Sequence, residues 1–269
     1  MKINIKNFII ALVACCTVVL SACGDKAPYD TATIAPDGAR VKFLHAISNQ
    51  PTGVAAASQP FVVFANDSKW TAVLNSVANG PDSIAYGGTF PTADYSVFPA
   101  GSTNFKVKLP RSLNPDTTVL AAAIDLKAGK YYTLMAADTF PTAKFIAIED
   151  DRTANKNQLK SYYRIVNAVS GSPATGYDIY MRRQSATGAI ATVKFGEASP
   201  FLEIDPNLTS VNDTVFVRPQ GSATSVGFLN LSTGSFTPNR IRTIVLRGNV
   251  AVGGTRGART LAVTTILNN

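Results

Sequence analysis

The sequence predicts an all-β protein, in which two tandem β-sandwich domains follow a secretion signal and a flexible tether. Beyond the N-terminus, Val, Thr, Tyr, Phe and Ile dominate and are separated by Gly, Pro, Asn, Asp and Ser, as in short strands joined by turns. The 269 residues are 46% hydrophobic and 16% charged, which excludes a globally disordered chain. In addition, the two halves of the chain repeat one pattern of strand-like runs.

The N-terminus has the organisation of a secretion signal. Lys2 and Lys6 precede an apolar run of 13 residues, Phe8–Leu20, which is too short to span a bilayer comfortably. The following Leu20–Cys23 resembles the lipobox of bacterial lipoproteins, with small residues before the cut and a thiol that accepts the lipid. We therefore predict that residues 1–22 are a signal peptide and that Cys23 becomes the acylated N-terminus. The alternative is an ordinary signal peptide with a chance cysteine.

Acylation would make the protein membrane-anchored through Cys23. Gly24 follows the cysteine, and the absence of Asp at this position favours the outer membrane by resemblance to the usual sorting rule. Residues 23–38 are short of bulky apolar side chains and contain two prolines, which predicts a lipidated, flexible tether. Which side of the membrane the body faces stays open.

An internal repeat predicts two copies of one module, of about 110 residues each. Five segments match in order: Arg40–Ser48 with Tyr162–Ser170, Phe61–Phe64 with Tyr177–Tyr180, Tyr86–Gly87 with Phe195–Gly196, Phe105–Lys108 with Val215–Arg218, and Lys130–Met135 with Arg240–Val245. The predicted domains are residues 39–151 and 161–269, and residues 152–160, within a polar stretch that begins at Asp150, form the linker. Turns are expected at Asn66–Asp67 and Lys127–Lys130, and Phe105–Lys108 should bury one face.

The first copy resembles a known family over Ala39–Asp151. The matching residues are Phe43–Ala46, Tyr95–Gly101, Ala128–Thr133 and Glu149–Asp151. This pattern is similar to that of the domain of unknown function 4397; the second copy is divergent, with Asn167 in place of His45 and Thr237–Arg240 in place of the Ala-Gly-Lys turn. The resemblance implies an immunoglobulin-like or transthyretin-like β-sandwich in a secreted, lipid-anchored bacterial protein, and it implies no activity.

The residue inventory argues against catalysis. The three cysteines are Cys15, Cys16 and Cys23, so the processed chain has no disulfide, cysteine nucleophile or cysteine metal site. His45 is the only histidine, and its counterpart Asn167 keeps hydrogen bonding but cannot act as a base, so we expect His45 to satisfy a loop backbone. Glu149–Asp151 lacks metal-binding spacing and is expected to be a solvated cluster. We predict no enzyme activity, no metal and no cofactor.

Two sets of residues are candidates for ligand binding. Trp70 follows a turn, where an exposed ring could stack on a sugar, although a ring closing the edge of the core is favoured. Residues 39–151 carry 9 basic and 9 acidic side chains, whereas residues 152–269 carry 13 and 5, a net charge of +8. This field favours anionic partners, although solvated strand faces explain it equally well. The candidate arginines are Arg240, Arg242, Arg247, Arg256 and Arg259.

The favoured function is a non-catalytic, lipid-anchored protein of the cell envelope, which binds a glycan or an envelope protein or has a structural role. Nucleic acid is excluded as a partner by the compartment. The first alternative is a subunit of a surface adhesin or filament, assembled by strand addition. The sequence contains no obvious donor strand, although Gly24–Gly38 could serve as one. The second and least favoured alternative is a glycan hydrolase, because only three glutamates exist and the aspartates mostly occupy turns.

Overall fold

A computed structural model describes residues 37–49, 60–71, 83–109, 117–154, 157–181, 188–204, 213–231, 237–250 and 261–268. These residues form strands and turns, without a helix. The strands are β1 (Ala39–Ile47), β2 (Val62–Ala65), β3 (Ser68–Lys69), β4 (Thr89–Phe90), β5 (Ser96–Phe98), β6 (Gly101–Lys108), β7 (Thr118–Leu126), β8 (Tyr131–Asp138), β9 (Lys144–Glu149), β10 (Ser161–Ser170), β11 (Tyr177–Met181), β12 (Ala191–Val193), β13 (Leu202–Ile204), β14 (Asp213–Pro219), β15 (Gly227–Leu231), β16 (Arg240–Asn249) and β17 (Ala262–Leu267).

The strands form four sheets, two in each half of the chain. Sheet I has the order β4-β1-β8-β9, with β5 also paired to β1, and sheet II has the order β3-β2-β6-β7. In the second half, sheet III has the order β13-β10-β16-β17 and sheet IV has the order β12-β11-β14-β15. Four of the five predicted repeat segments contain strands, and these strands occupy equivalent positions in the two halves. The all-β fold is confirmed, and the status of the second half as a family copy stays a prediction.

The centre of sheets I and III is a parallel strand pair. β1 runs parallel to β8, and β10 runs parallel to β16, while all other pairs are antiparallel. Every residue of β10 is buried, as are all residues of β1 except Arg40. The sequence of a parallel strand is a nearly continuous run of apolar residues when both faces of the sheet are covered. By contrast, β6 buries Phe105 and Val107 and leaves Lys106 and Lys108 half-exposed, which confirms the predicted alternation.

Two predicted turns occur where the sequence places them. Asn66 and Asp67 connect β2 to β3 with φ values of 47° and 65°, the left-handed conformation that a two-residue type I′ hairpin requires at both positions. The turn between β7 and β8 places Gly129 at φ 70°, where a side chain would be strained. The amide of Gly129 donates to the carbonyl of Gly38 over 3.2 Å, so the last residue of the predicted tether is already part of the body.

Four apolar clusters occur among the described residues, and the three largest lie between the layers. Sheets I and II enclose the first, around Phe43, Val63 and Phe105. Sheets III and IV enclose the second, around Ile165 and Val217. A third cluster lies between sheets I and III and joins the halves; it consists of Leu44, Ala46, Met135, Ala137, Ile146, Val166, Ala168, Val245 and Ile266. The layer order is therefore II, I, III, IV, within one compact unit, Asp37–Asn269.

Candidate functional site

Three of the predicted functional residues, Cys23, Arg256 and Arg259, lie outside the described residues, as do Met1–Pro36. The predictions of the signal peptide, the lipid anchor and most of the tether therefore stay predictions. Among the described residues, no helix is long and apolar enough to cross a membrane. The described part of the chain also contains no group of three or more His, Cys, Asp or Glu side chains arranged to hold a metal ion.

His45 and its counterpart Asn167 have the same structural role. His45 is fully buried on β1, and its Nδ1 accepts the amide N–H of Ile47 over 3.2 Å. Asn167 is fully buried on β10, and its Oδ1 accepts the amide N–H of Val169 over 3.0 Å. Each residue's carbonyl also accepts the amide of a positive-φ glycine, Gly87 or Gly196. The expected backbone hydrogen bond of His45 is thus present, and the ring lies 4.6 Å from Phe61 between centroids.

Trp70 closes the aromatic edge of the first core. Its ring makes edge or tilted contacts with Phe43, Phe90, Phe98 and Phe105, at centroid distances between 4.9 and 6.1 Å. Its indole N–H donates to Ser96 Oγ over 2.9 Å. The half-buried Trp70 is therefore placed as the core residue that the sequence favoured, and its ring packs against protein rather than being presented as a platform for a ligand.

The three described candidate arginines do not form one patch. All lie on β16, where alternate residues point to opposite faces of the sheet. Arg240 is exposed at the start of the strand, and Arg242 is half-buried with its pKa lowered by burial. Arg247 belongs to the opposite face, which packs on the first half. Strand alternation therefore places Arg247 on the face of β16 opposite to Arg240 and Arg242, and ligand binding by these candidate arginines stays a prediction.

Arg247 is committed to the contact between the halves. Its guanidinium lies 4.4 Å from the centroid of the Tyr86 ring and donates from Nε to Thr264 Oγ1 over 2.7 Å. Thr264 in turn donates to the carbonyl of Gly87 over 3.2 Å. A similar contact between a cation and an aromatic ring occurs with the halves exchanged. In it, Lys144 of the first half lies 4.5 Å from the ring centroid of Phe195 in the second half. Arg247 therefore stabilises the interface and is not a free ligand-binding group.

A buried polar network lies at one end of the same interface. The guanidinium of Arg164 forms an ion pair with Asp150 and donates to the Glu149 carbonyl over 2.7 Å and to Thr243 Oγ1 over 2.9 Å. Asp150 also accepts from Thr133 Oγ1 over 2.8 Å and from the Tyr95 hydroxyl over 2.9 Å. Asp150 is only 4% exposed. The expectation that Glu149–Asp151 is a solvated cluster is thus wrong at Asp150, because the second half covers that carboxylate.

The same arrangement occurs a second time in the network, with the roles of the two halves exchanged. Lys42, at the position on β1 that matches Arg164 on β10, donates to the Leu267 carbonyl over 3.1 Å. Asn268 stands where Asp150 does and accepts from Thr243 Oγ1 over 2.9 Å. The two halves therefore meet through the same face, with a Lys and an Asp on one side and an Arg and an Asn on the other.

Burial dominates the electrostatics of this network. Desolvation raises the pKa of Asp150 and lowers the pKa values of Arg164 and Lys42, while the opposite charges favour the ionised forms. The pKa of Tyr95 is raised, first by burial and then by the charge of Asp150 to which its hydroxyl donates. These groups join sheets I and III, because Arg164 on sheet III pairs with Asp150 at the end of sheet I.

The outward face of sheet IV presents a different arrangement. Tyr180 on β11 and Phe216 on β14 are paired in register, and both are half-buried. Their neighbours Ile179, Met181 and Val217 point into the core, so the two rings belong to the opposite face. The guanidinium of Arg218 lies 4.5 Å from the centroid of the Tyr180 ring. Two aromatic rings and one arginine thus share this face.

Sheet II carries a related pair at matching positions. Lys108 Nζ lies 5.1 Å from the centroid of the Phe64 ring, and the repeat aligns Phe64 with Tyr180 and Lys108 with Arg218. Lys106, aligned with Phe216, lies beside this pair and forms an ion pair of 2.5 Å with Asp67. Sequence reasoning missed both pairs. The signal that could have found them is the recurrence of an aromatic residue and a basic residue at the same positions of the two halves.

Comparison with known proteins bears mainly on the first half. Residues 39–168 match the family model described as Domain of unknown function (DUF4397). The predicted family is supported. The DUF4397 match extends beyond Asp151, where the sequence placed the end of the first domain, and reaches into β10. No curated protein matches the chain.

Several solved structures are similar to the chain at a low level. One concerns α-glucan binding by a streptococcal virulence factor, with 9% identity, a TM-score of 0.24, and coverage of 77% of this chain and 92% of that one. Another is a Bacteroides eggerthii protein provisionally assigned to cell adhesion, with 9% identity, a TM-score of 0.23, and coverage of 87% and 97%. A Bacteroides fragilis protein with the same provisional assignment has 12% identity, a TM-score of 0.19, and coverage of 87% and 98%. Nothing about a ligand follows from likenesses at this level.

Proposed function

We propose that this protein is a non-catalytic, lipid-anchored protein of the cell envelope that binds carbohydrate on its outer sheets. The observation that carries the proposal is the aromatic ring with a stacked cation on the outward face of each outer sheet, Phe64 with Lys108 and Tyr180 with Arg218. Sugar rings present apolar C–H faces that pack on aromatic rings, and their hydroxyls accept hydrogen bonds from cationic side chains. An outward sheet face that bears both groups fits an extended polysaccharide.

The interior supports the non-catalytic part of the proposal. His45 is fully buried and accepts a backbone N–H, and Asp150 is enclosed by Arg164, Thr133 and Tyr95. A general base must reach the proton that it removes from a substrate. Neither of these groups faces an open cleft, so the side chains best suited to proton transfer are used in packing and hydrogen bonding.

The lipid anchor has a direct test. Replacing Cys23 with Ser removes the thiol that the lipobox supplies for acylation, and we expect the variant to stay in the soluble fraction while the natural protein sediments with membranes. The measurement is immunoblotting of fractions after a carbonate wash. A Cys23→Ser protein that still sediments with membranes would contradict the anchor.

Carbohydrate binding is tested by affinity electrophoresis of the Cys23→Ser chain in gels that contain neutral or acidic polysaccharides. We expect retardation by at least one polysaccharide, lost in Tyr180→Ala. The matched control is Tyr131→Ala, which removes a half-buried tyrosine that also carries stacked guanidinium groups, from Arg40 and Arg152, but lies on sheet I. Free migration in every gel, or release of reducing sugar on incubation, would refute the proposal.

One observation favours a second candidate, a subunit that assembles by strand addition. β7 is nine residues long, lies at the edge of sheet II, and exposes Ala121 and Ala123, with Asp125 as its only charged residue. Long edges with few charges are templates for pairing with another strand. Light scattering of the Cys23→Ser chain over a wide concentration range tests this candidate, and a strictly monomeric protein would eliminate it.

A further inference from the structure

We propose that the outward face of sheet IV binds an acidic polysaccharide, in which Arg218, held over the Tyr180 ring, pairs with a sugar carboxylate while Phe216 packs on a sugar ring. This inference rests on the proposed carbohydrate binding and assigns it a site and a ligand class. The site combines two rings in register on one sheet with a guanidinium that forms no ion pair within the described residues.

Arg218 has no anionic partner in the described part of the chain. None of the ion pairs among these residues includes Arg218, and its buried Nε has no hydrogen-bond partner there. Asp178 is directly opposite in the strand register, but its Oδ1 accepts from Thr192 over 2.6 Å and its Oδ2 accepts from the Gly221 amide over 2.9 Å. Each oxygen of the carboxylate nearest in register thus accepts from another donor, and Arg218 makes no hydrogen bond to it within the described residues. Because Nε is buried, the terminal nitrogens of Arg218 are the donors for a ligand.

The contact with Tyr180 holds the guanidinium in place. The guanidinium lies over the ring at 4.5 Å from its centroid, where the attraction between the cation and the ring face favours this position of the side chain. An arginine fork matches the two oxygens of a carboxylate, which gives a stronger and more directional bond than a single charge does. The paired ring of Phe216 lies on the adjacent strand, so a sugar bound to Arg218 has an apolar surface beside it.

The charge distribution favours an acidic over a neutral polysaccharide. Residues 152–269 carry 13 basic and 5 acidic side chains, whereas residues 39–151 are balanced at 9 and 9. A polyanion is attracted by such a field before any specific contact forms. Phe64 and Lys108 repeat the ring and cation on sheet II, but the neighbouring Lys106 is already paired with Asp67. Sheet IV is therefore the primary site.

The test compares polygalacturonate with dextran, an uncharged polysaccharide, in affinity gels of the Cys23→Ser chain. We expect the protein to bind polygalacturonate with an affinity at least about tenfold higher than its affinity for dextran. One hydrogen-bonded pair between a carboxylate and an arginine accounts for a difference of this size. Arg218→Gln should lose that factor of about ten, and Arg218→Lys, which keeps the charge without the fork, should lose part of it. The control is Arg152→Gln, which removes an exposed arginine stacked on Tyr131 at 4.7 Å and changes net charge equally.

The remaining outcomes of these gels separate the ligand class, the site and the proposed function. Equal retardation by dextran and polygalacturonate overturns the acidic ligand and leaves carbohydrate binding standing. Equal losses in Arg218→Gln and Arg152→Gln overturn the site, because net charge alone would explain them. Free migration in all polysaccharide gels overturns the proposed function as well, and binding only to phosphatidylglycerol vesicles would replace the glycan with a lipid surface. The melting temperature of each variant shows that it is folded.

Discussion

Replacing Arg164 with Met is predicted to destabilise the protein more than any surface charge substitution would. The side chain loses its ion pair with Asp150 and its hydrogen bonds to the Glu149 carbonyl and Thr243. Asp150, 4% exposed, is left as a buried charge with hydroxyl donors from Thr133 and Tyr95. Breaking a buried pair from one side costs about 3–5 kcal/mol. For a body of this size that corresponds to a drop in melting temperature of about 10 °C.

Calorimetry and urea unfolding of the Cys23→Ser chain measure this loss. The control is Arg152→Met, which removes an exposed arginine and should cost less than about 0.5 kcal/mol. Adding Asp150→Asn to Arg164→Met should restore part of the stability, with a coupling of about 1–3 kcal/mol, because the unpaired charge is removed. A loss below about 1 kcal/mol for Arg164→Met, or additive effects in the double variant, would show that water reaches the pair.

Two other buried polar side chains, Tyr95 and His45, contribute to stability in ways that single substitutions can measure. Burial raises the pKa of Tyr95 above its ordinary value, so above about pH 10 the unfolded chain loses a proton that the folded protein keeps, and stability falls by about 1.4 kcal/mol per pH unit. Tyr95→Phe should remove that part of the slope in alkaline urea unfolding, and an unchanged slope would show that the hydroxyl titrates freely. His45→Leu should lower the free energy of unfolding by about 1–3 kcal/mol, because it leaves the buried N–H of Ile47 without an acceptor. His45→Asn should lower it less, because the amide oxygen can accept this N–H as Asn167 does for Val169. Equal thermal stability of the two His45 variants would contradict this role.

Much of the fold could be predicted because its signals are local. The turn at Asn66–Asp67, the alternation of β6 and the repeat segments depend on neighbouring residues, and the strands appear where those patterns place them. The role of His45 followed from a comparison within the chain, because Asn167 preserves a hydrogen bond and discards the titration.

The contact between the halves could not be predicted in the same way. Met135 and Val245 resemble ordinary core residues, and nothing local indicates that they meet across sheets I and III. The charge of Asp150 predicted a solvent-exposed carboxylate, because its partner Arg164 belongs to the other half and is not recognisable as a partner from the local sequence. The arginines of β16 were grouped by proximity in sequence, although strand alternation sends Arg242 and Arg247 to opposite faces.

The unequal charges at the junction of the halves determine which surfaces can pair. If two molecules exchanged halves, the Lys42 and Asp150 side of one would find the Arg164 and Asn268 side of the other, and every charge would be matched as before. Two second halves placed face to face would instead enclose two guanidinium groups with only amides opposite them, which is costly without a counter-ion. Two molecules can therefore pair through this junction only by joining a first half to a second half. In a chain whose own two halves are joined, the junction faces of sheets I and III are already covered.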